Sequence, residues 1–142
     1  MKPDVSRARS RGAARAVLVD RDRGAGESIA ENLRRAGVAE RAVLVRRDAL
    51  AALRDLAAAG ERFDLAIVDA PYADAALRDA ILARLGAPDG PLAADATVVV
   101  TAHWRDLPPD AIGLLRSTRV RRFGETAITF YRRDAGAVAA AG

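Results

Sequence analysis

Three short apolar runs recur along the chain: Ala16–Asp20 (AVLVD), Ala42–Arg46 (AVLVR) and Leu65–Asp69 (LAIVD). Each is followed by a segment with helical punctuation. Strands that are apolar throughout, rather than alternating, are buried on both faces. Strands joined by helices pair in parallel, because a parallel neighbour needs a long crossover. The pattern dictates an α/β fold with a mostly parallel sheet. Ligands of such sheets bind at the carboxyl ends of the strands. Asp20, Asp48 and Asp69 fall at or just beyond those ends. Acids after strands also serve as helix N-caps, and for Asp48 both readings stand.

The connecting segments carry their own signals. Glu27–Ala36 has Ile29 and Leu33 at helical spacing and a Glu31–Arg35 pair, and Gly37 stops it. Asp48 is placed to cap a helix bearing Leu50, Leu53 and Leu56 that closes at Gly60. Asp74 is placed to cap another with Leu77, Ile81, Leu82 and Leu85, ending at Gly86. A turn-rich link, APDGP, leads to a β-branched strand at Ala96–Ala102. After Leu107-Pro108-Pro109 the alternation stops. Ser117–Phe123 and Thr126–Arg132 flank Gly124-Glu125, a two-residue loop suited to an antiparallel hairpin. This divides the chain into a leader at 1–9, one domain at 10–133 and a small-residue flexible tail at 134–142.

Composition narrows the chemistry. The chain has 142 residues, enough for a single core. It has no Cys, which excludes disulfides, thiolate metal sites and a Cys nucleophile. His103 is its one His, so no His cluster can bind a metal. No apolar run reaches the roughly 20 residues of a membrane span. These features fit a cytoplasmic protein that engages no membrane. The net charge is +4, and Lys2 is the only Lys, so the positive charge is almost all Arg. Arg116, Arg119, Arg121, Arg122, Arg132 and Arg133 cluster around the hairpin. They are candidates for RNA phosphate contact or for a solvated surface.

From about Ser10 to Arg133 the chain resembles the RsmD-type 16S rRNA guanine-N2 methyltransferases. SRGAARAVLVDRD is similar to the family's passage into its second strand, and IAENLRRAGVAERAVLVRRDAL follows in the expected order. FDLAIVDAPY stands where the family has a strand and then Asp-Pro-Pro-Tyr or Asp-Pro-Pro-Phe. VVVTAHW occupies the place of a strand usually followed by Glu-His, with Ala102 replacing the Glu, and RRFGETAITFYRR matches the closing hairpin. The resemblance implies a class I, Rossmann-like fold that uses S-adenosylmethionine and no metal. Its substrate would be N2 of a guanine in 16S rRNA, free or in a small-subunit precursor, and the complete protein would be a monomer. Asp20 with Arg21 would hold the cofactor ribose, and Asp48-Ala49 would lie beside the adenine. Asp69 and the carbonyl of Ala70 would orient the guanine amine, Pro71 would keep Ala70 extended, and Tyr72 would stack on the base.

Two departures set further expectations. Ala70 replaces the first Pro of the motif, which keeps the carbonyl with less rigidity. The family's first strand and glycine-rich cofactor loop should precede Ser10, and only nine residues do. That strand lies between the second and fourth of the family's sheet. The remaining strands would close up or recruit a replacement, and the chain could be inactive as it stands. Two alternatives stay open. One is a non-catalytic remnant, or a weak RNA-binding module. The other is a receiver-like domain with Asp20 and Asp22 on Mg²⁺, Asp69 as phosphoacceptor and Thr101 sensing the phosphate, although that chemistry lacks its Lys here.

Overall fold

The computed structural model describes residues 15–20, 35, 41–45, 49–69 and 74–134. Its strands are β1 (Arg15–Asp20), β2 (Arg41–Val45), β3 (Phe63–Asp69), β4 (Leu92–His103), β5 (Ala111–Ile112), β6 (Leu115–Phe123) and β7 (Thr126–Arg133). Its helices are α1 (Ala49–Ala58) and α2 (Ala75–Leu85). The strands form one sheet in the order β2-β1-β3-β4-β7-β6-β5. The first four run parallel. β7 joins β4 antiparallel, and β6 and β5 continue antiparallel. The sheet is therefore mixed, with β4 at the boundary between its two halves.

β1 pairs directly with β3, from Ala16↔Leu65 to Asp20↔Asp69. The resemblance implies a further strand between these two. Among the described residues no strand lies between them.

Side chains alternate across the sheet, and the registers define its two faces. Val17, Val19, Val45, Ala66, Val68, Val98, Val100 and Tyr131 share one face and pack with Leu53 of α1 and with Ile81, Leu82 and Leu85 of α2. Each fully buried Leu or Ile contributes about 1.5–3 kcal/mol by leaving water. The core is mainly aliphatic, but its two largest fully buried side chains are the aromatics Tyr131 and Phe63. Among the described residues no helix is long and apolar enough to cross a membrane.

The helix ends follow their capping residues. Gly60 has φ 82°. Its N–H donates to Ala57 O at 3.0 Å, and Glu61 N–H donates to Leu56 O at 3.0 Å, which closes α1 with a Schellman motif. Asp74 accepts from Leu77 N through Oδ1 at 3.4 Å and opens α2. Gly86 ends it, donating to Leu82 O at 2.8 Å.

Three features depart from the sequence expectation. β4 begins at Leu92, four residues before Ala96, and its register against β3 shifts between Phe63↔Leu92 and Leu65↔Thr97. Ala94 and Asp95 are exposed there, so a weak β-forming stretch is carried as a bulge. β5 pairs two residues of the Pro-rich connection with β6. Arg78 occupies the buried stripe of α2, 5% exposed. Its charge is met by Asp79 Oδ1 at 2.9 Å and by the carbonyl of Asp106, to which Nη1 donates at 2.7 Å. Arg78 thereby ties α2 to the connection after β4. Tyr131 ties the same connection to the core, donating from its hydroxyl to Pro109 O at 2.6 Å. Burial pushes the Tyr131 pKa up to about 12, with Arg78 acting the other way and Asp79 and Asp110 adding to the rise.

Candidate functional site

The parallel strands deliver Asp20, Asp69 and His103 to one edge of the sheet. β7 starts at that edge, since His103 pairs with Thr126. The hairpin loop Gly124-Glu125 therefore borders the carboxyl ends of β1, β3 and β4. Gly124 has φ 63°, a backbone region that a two-residue hairpin loop needs and that Gly enters without strain.

Asp69 is the best-defined acid of this edge. It is half-buried, and its Oδ1 accepts a hydrogen bond from Thr101 Oγ1 at 2.6 Å. A hydroxyl donor to a carboxylate fixes both its rotamer and which oxygen is occupied. Among the described residues Oδ2 has no partner, so it remains available to another donor. Continuing the Val68↔Val100 register places Asp69 beside Thr101 on the sheet face away from α1 and α2. Only the receiver-like alternative brings these two residues together in the sequence, since 32 residues separate them. The contact's other trace is the alternation of ATVVVTAH, which puts Thr101 and His103 on one face.

His103 closes that face toward the hairpin. Its Nδ1 accepts from Arg105 N at 3.1 Å, and its Nε2 faces Glu125 Oε1 at 3.5 Å. With Nδ1 accepting, a neutral ring carries its proton on Nε2. Trp104 N–H donates to Glu125 O at 2.9 Å and extends the ladder by one rung. The Arg122 guanidinium lies 3.7 Å from the Trp104 ring centroid, and that of Arg105 lies 4.8 Å away. Neither His103 nor Trp104 stood out in the sequence beyond packing.

The structure places the remaining candidates as follows. Asp20 ends β1, and its backbone pairs with that of Asp69. Ala49 is the first residue of α1 and is buried. Arg21, Asp48, Ala70, Pro71 and Tyr72 lie outside the described residues, as do Asp22, the Glu27–Ala36 helix apart from Arg35, and the tail from Ala135. The six hairpin arginines do not form one patch. Arg133 is half-buried and donates to Pro88 O at 3.1 Å. Arg122 donates from Nε to Gly124 O at 2.8 Å and covers Trp104. Arg116, Arg119 and Arg121 are exposed, and Arg132 is half-buried.

An edge with a pinned, partly open carboxylate can accept a hydrogen bond from an amine and hold it in line for reaction. Among the described residues no group of His, Asp or Glu is arranged to hold a metal ion. The order β2-β1-β3-β4 is shared with receiver-like folds. Those continue with a fifth parallel strand, whereas here β7 is antiparallel to β4.

Comparison with known proteins places this geometry. A family model described as Conserved hypothetical protein 95 matches residues 6–132. A conserved hypothetical protein of Streptococcus pyogenes is 29% identical with a TM-score of 0.59, over 92% of this chain and 78% of its own. The proposed methyltransferase yhhF of Escherichia coli is 26% identical with a TM-score of 0.55, over 91% of this chain and 68% of its own. The release factor-specific protein-(glutamine-N5) methyltransferase of Alicyclobacillus acidocaldarius is 16% identical with a TM-score of 0.52, over 92% and 89%. At that identity the last likeness is one of fold. No curated protein matches the chain. The neighbours share the α/β fold of S-adenosylmethionine-dependent methyltransferases.

Proposed function

Because the chain belongs to the Conserved hypothetical protein 95 family, we propose that it transfers a methyl group from S-adenosylmethionine to N2 of a guanine in 16S rRNA, free or within a small-subunit precursor. The observation that carries this reading is the Asp69 carboxylate at the carboxyl edge of the sheet, with Oδ1 held by Thr101. The likeness to yhhF supports methyl transfer in general. The guanine and its RNA are the finer part of the proposal.

The acceptor chemistry at this edge fits the cofactor. A carboxylate at a strand end is what the ribose hydroxyls require, and Asp20 ends β1. Asp20 with Arg21 would hold the ribose, and Asp48 with Ala49 the adenine. When bound, the cofactor supplies a methyl group on a sulfonium, ready for attack by a nitrogen lone pair.

The chain's own residues prepare that nitrogen. Guanine N2 is a weak nucleophile because its lone pair is delocalised into the ring. Asp69 Oδ2 accepts from one N–H, and the carbonyl of Ala70 accepts from the other. These bonds orient the nitrogen and strengthen as it gains positive charge. Once the nitrogen is alkylated, the proton it sheds passes toward Asp69 Oδ2 or water. Tyr72 stacks on the base, which must leave its helix to reach the edge.

The test is incorporation of a labelled methyl group into small-subunit RNA, alongside calorimetric titration of the cofactor. Asp69→Ala should abolish incorporation and keep cofactor binding, and Asp20→Ala should lose binding. Full activity in Asp69→Ala would sink the assignment.

A further inference from the structure

Among the described residues some arginines face carboxylates and others do not. Arg15 pairs with Glu61, Arg78 with Asp79 and Arg84 with Asp89. β6 reads LRSTRVRRF, with no acid. Among the described residues none of its four guanidinium groups is paired with a carboxylate. Arg54, Arg62 and Arg105 are likewise without a carboxylate among the described residues, so what distinguishes β6 is how its arginines are placed.

They are also sorted. The register of β6 on β7 shifts between Ser117 and Arg119. Past that bulge Arg119 faces Phe130, Arg121 faces Ile128 and Phe123 faces Thr126. Arg116 faces Arg132 before it. Without the shift, Arg116 and Arg119 would point to opposite faces. With it, Arg116, Arg119, Arg121 and Phe123 share one face, and it is the face of Asp69 and Thr101. One row of that face runs Asp69, Thr101, Ile128, Arg121. Three strand spacings separate its ends, about 14 Å.

Rings accompany the charges. The Arg119 guanidinium lies 5.9 Å from the Phe130 centroid, and that of Arg121 lies 5.3 Å from Phe123. Phe123 is 54% exposed at the end of the stripe nearest the carboxyl edge. A line of unpaired guanidinium groups ending in an exposed ring has the chemistry that phosphates and an unstacked base require.

We infer that this face of β6 is a track for an unpaired RNA segment next to the target base. Arg116, Arg119 and Arg121 contact consecutive phosphates, and Phe123 stacks a base of that segment beside the target. The inference rests on the proposed RNA substrate and adds the surface that reads it. Charged edge strands also prevent strand-to-strand association. That role would be met by arginines on either face, and it asks for no exposed ring.

The test is binding of a short fluorescent single-stranded RNA to the full chain, without cofactor, by anisotropy across a salt series. Each phosphate contact contributes about 0.7 to the log–log salt slope of a single strand. Arg119→Gln/Arg121→Gln should weaken binding about tenfold and lower the slope by about 1.4. Phe123→Ala should weaken binding and leave the slope unchanged. Arg54→Gln, on the exposed face of α1, should bind as the parent does. Unchanged binding in the double variant overturns the inference. So does self-association of that variant with RNA binding intact, or equal loss on anionic vesicles. If methylation is never observed while the track binds RNA as described, the methyl-transfer reading fails and the track stands. If methylation proceeds and the double variant keeps its KM for RNA, the track fails alone.

Discussion

Thr101 holds Asp69 by a single hydrogen bond of 2.6 Å between neighbouring strands of the sheet. The bond commits one carboxylate oxygen, and among the described residues the other has no partner. A hydrogen bond to a charged group is worth about 1.5–3 kcal/mol. Thr101→Val keeps the shape and removes the donor. It should lower kcat for methyl incorporation by roughly 10–100-fold, with KM for RNA little changed. Thr101→Ser should restore most of the rate. A Thr101→Val enzyme of full kcat would show that the bond has no part in positioning Asp69.

Tyr131 sets an alkaline limit on stability. Its hydroxyl is buried and donates to Pro109 O, and its pKa is pushed up to about 12 from 10.0. Between those values the unfolded chain loses the proton before the folded one does. The contribution is fully present below pH 10 and is lost as pH rises toward 12. The unfolding free energy from urea titrations should therefore fall by on the order of 2 kcal/mol over that window. Tyr131→Phe should be less stable near neutrality by about 1 kcal/mol and show a flatter alkaline limb. An unchanged limb would place the titration elsewhere.

Glycines 86, 113 and 124 should separate two kinds of cost. A Cβ on Gly86 would sit 2.5 Å from Ile112 O, and one on Gly113 would sit 2.4 Å from Gly86 O. Gly124 has open space around it but φ 63°. Gly86→Ala and Gly113→Ala should each cost more than about 2 kcal/mol, since backbone must move. Gly124→Ala should cost only about 1 kcal/mol, for its left-handed conformation. Thermal denaturation of the three variants checks the ranking.

Thr129 offers a substitution in the opposite direction. It is 2% exposed, and among the described residues its hydroxyl has no hydrogen-bond partner. Val is nearly the same shape without the polar group. Thr129→Val should leave stability unchanged or raise it by up to about 1 kcal/mol. A clear loss in guanidinium unfolding would mean that the hydroxyl has a partner in solution.

What the sequence disclosed was what neighbouring residues decide. Gly60, Asp74 and Gly86 announce the helix ends because capping is local. AVLVD and FDLAIVD announce strands because their burial is continuous. Ile81, Leu82 and Leu85 gave the buried stripe of α2, but the burial of Arg78 within it was not legible, since its partner Asp106 comes 28 residues later. Ala93 to Asp95 hid the start of β4, because a bulge needs no β-forming residues. Asp69 could be placed at the edge, but its bond to Thr101 depends on register between distant strands. The arginines of β6 were visible as a cluster. Their division between two faces was not, because one shifted residue decides it.

The two halves of the sheet also differ in how long a stretch of chain must be gathered to form them. β6 meets β7 across two loop residues, a closure of about 1–10 μs for a hairpin. Asp69 meets Thr101 across 32 residues, and Arg15 meets Asp64 across 49. Loop closure favours the short connections first. The basic hairpin should therefore assemble early, with the β1–β2 and β3–β4 pairs next, leaving the β1–β3 seam to form last. Synthesis delivers the strands in the reverse order. β1 leaves the ribosome first and has no parallel partner in β3 until that strand follows. During that interval its row of buried aliphatic side chains is open to solvent and to other chains, and this is when the protein is most exposed to misassembly.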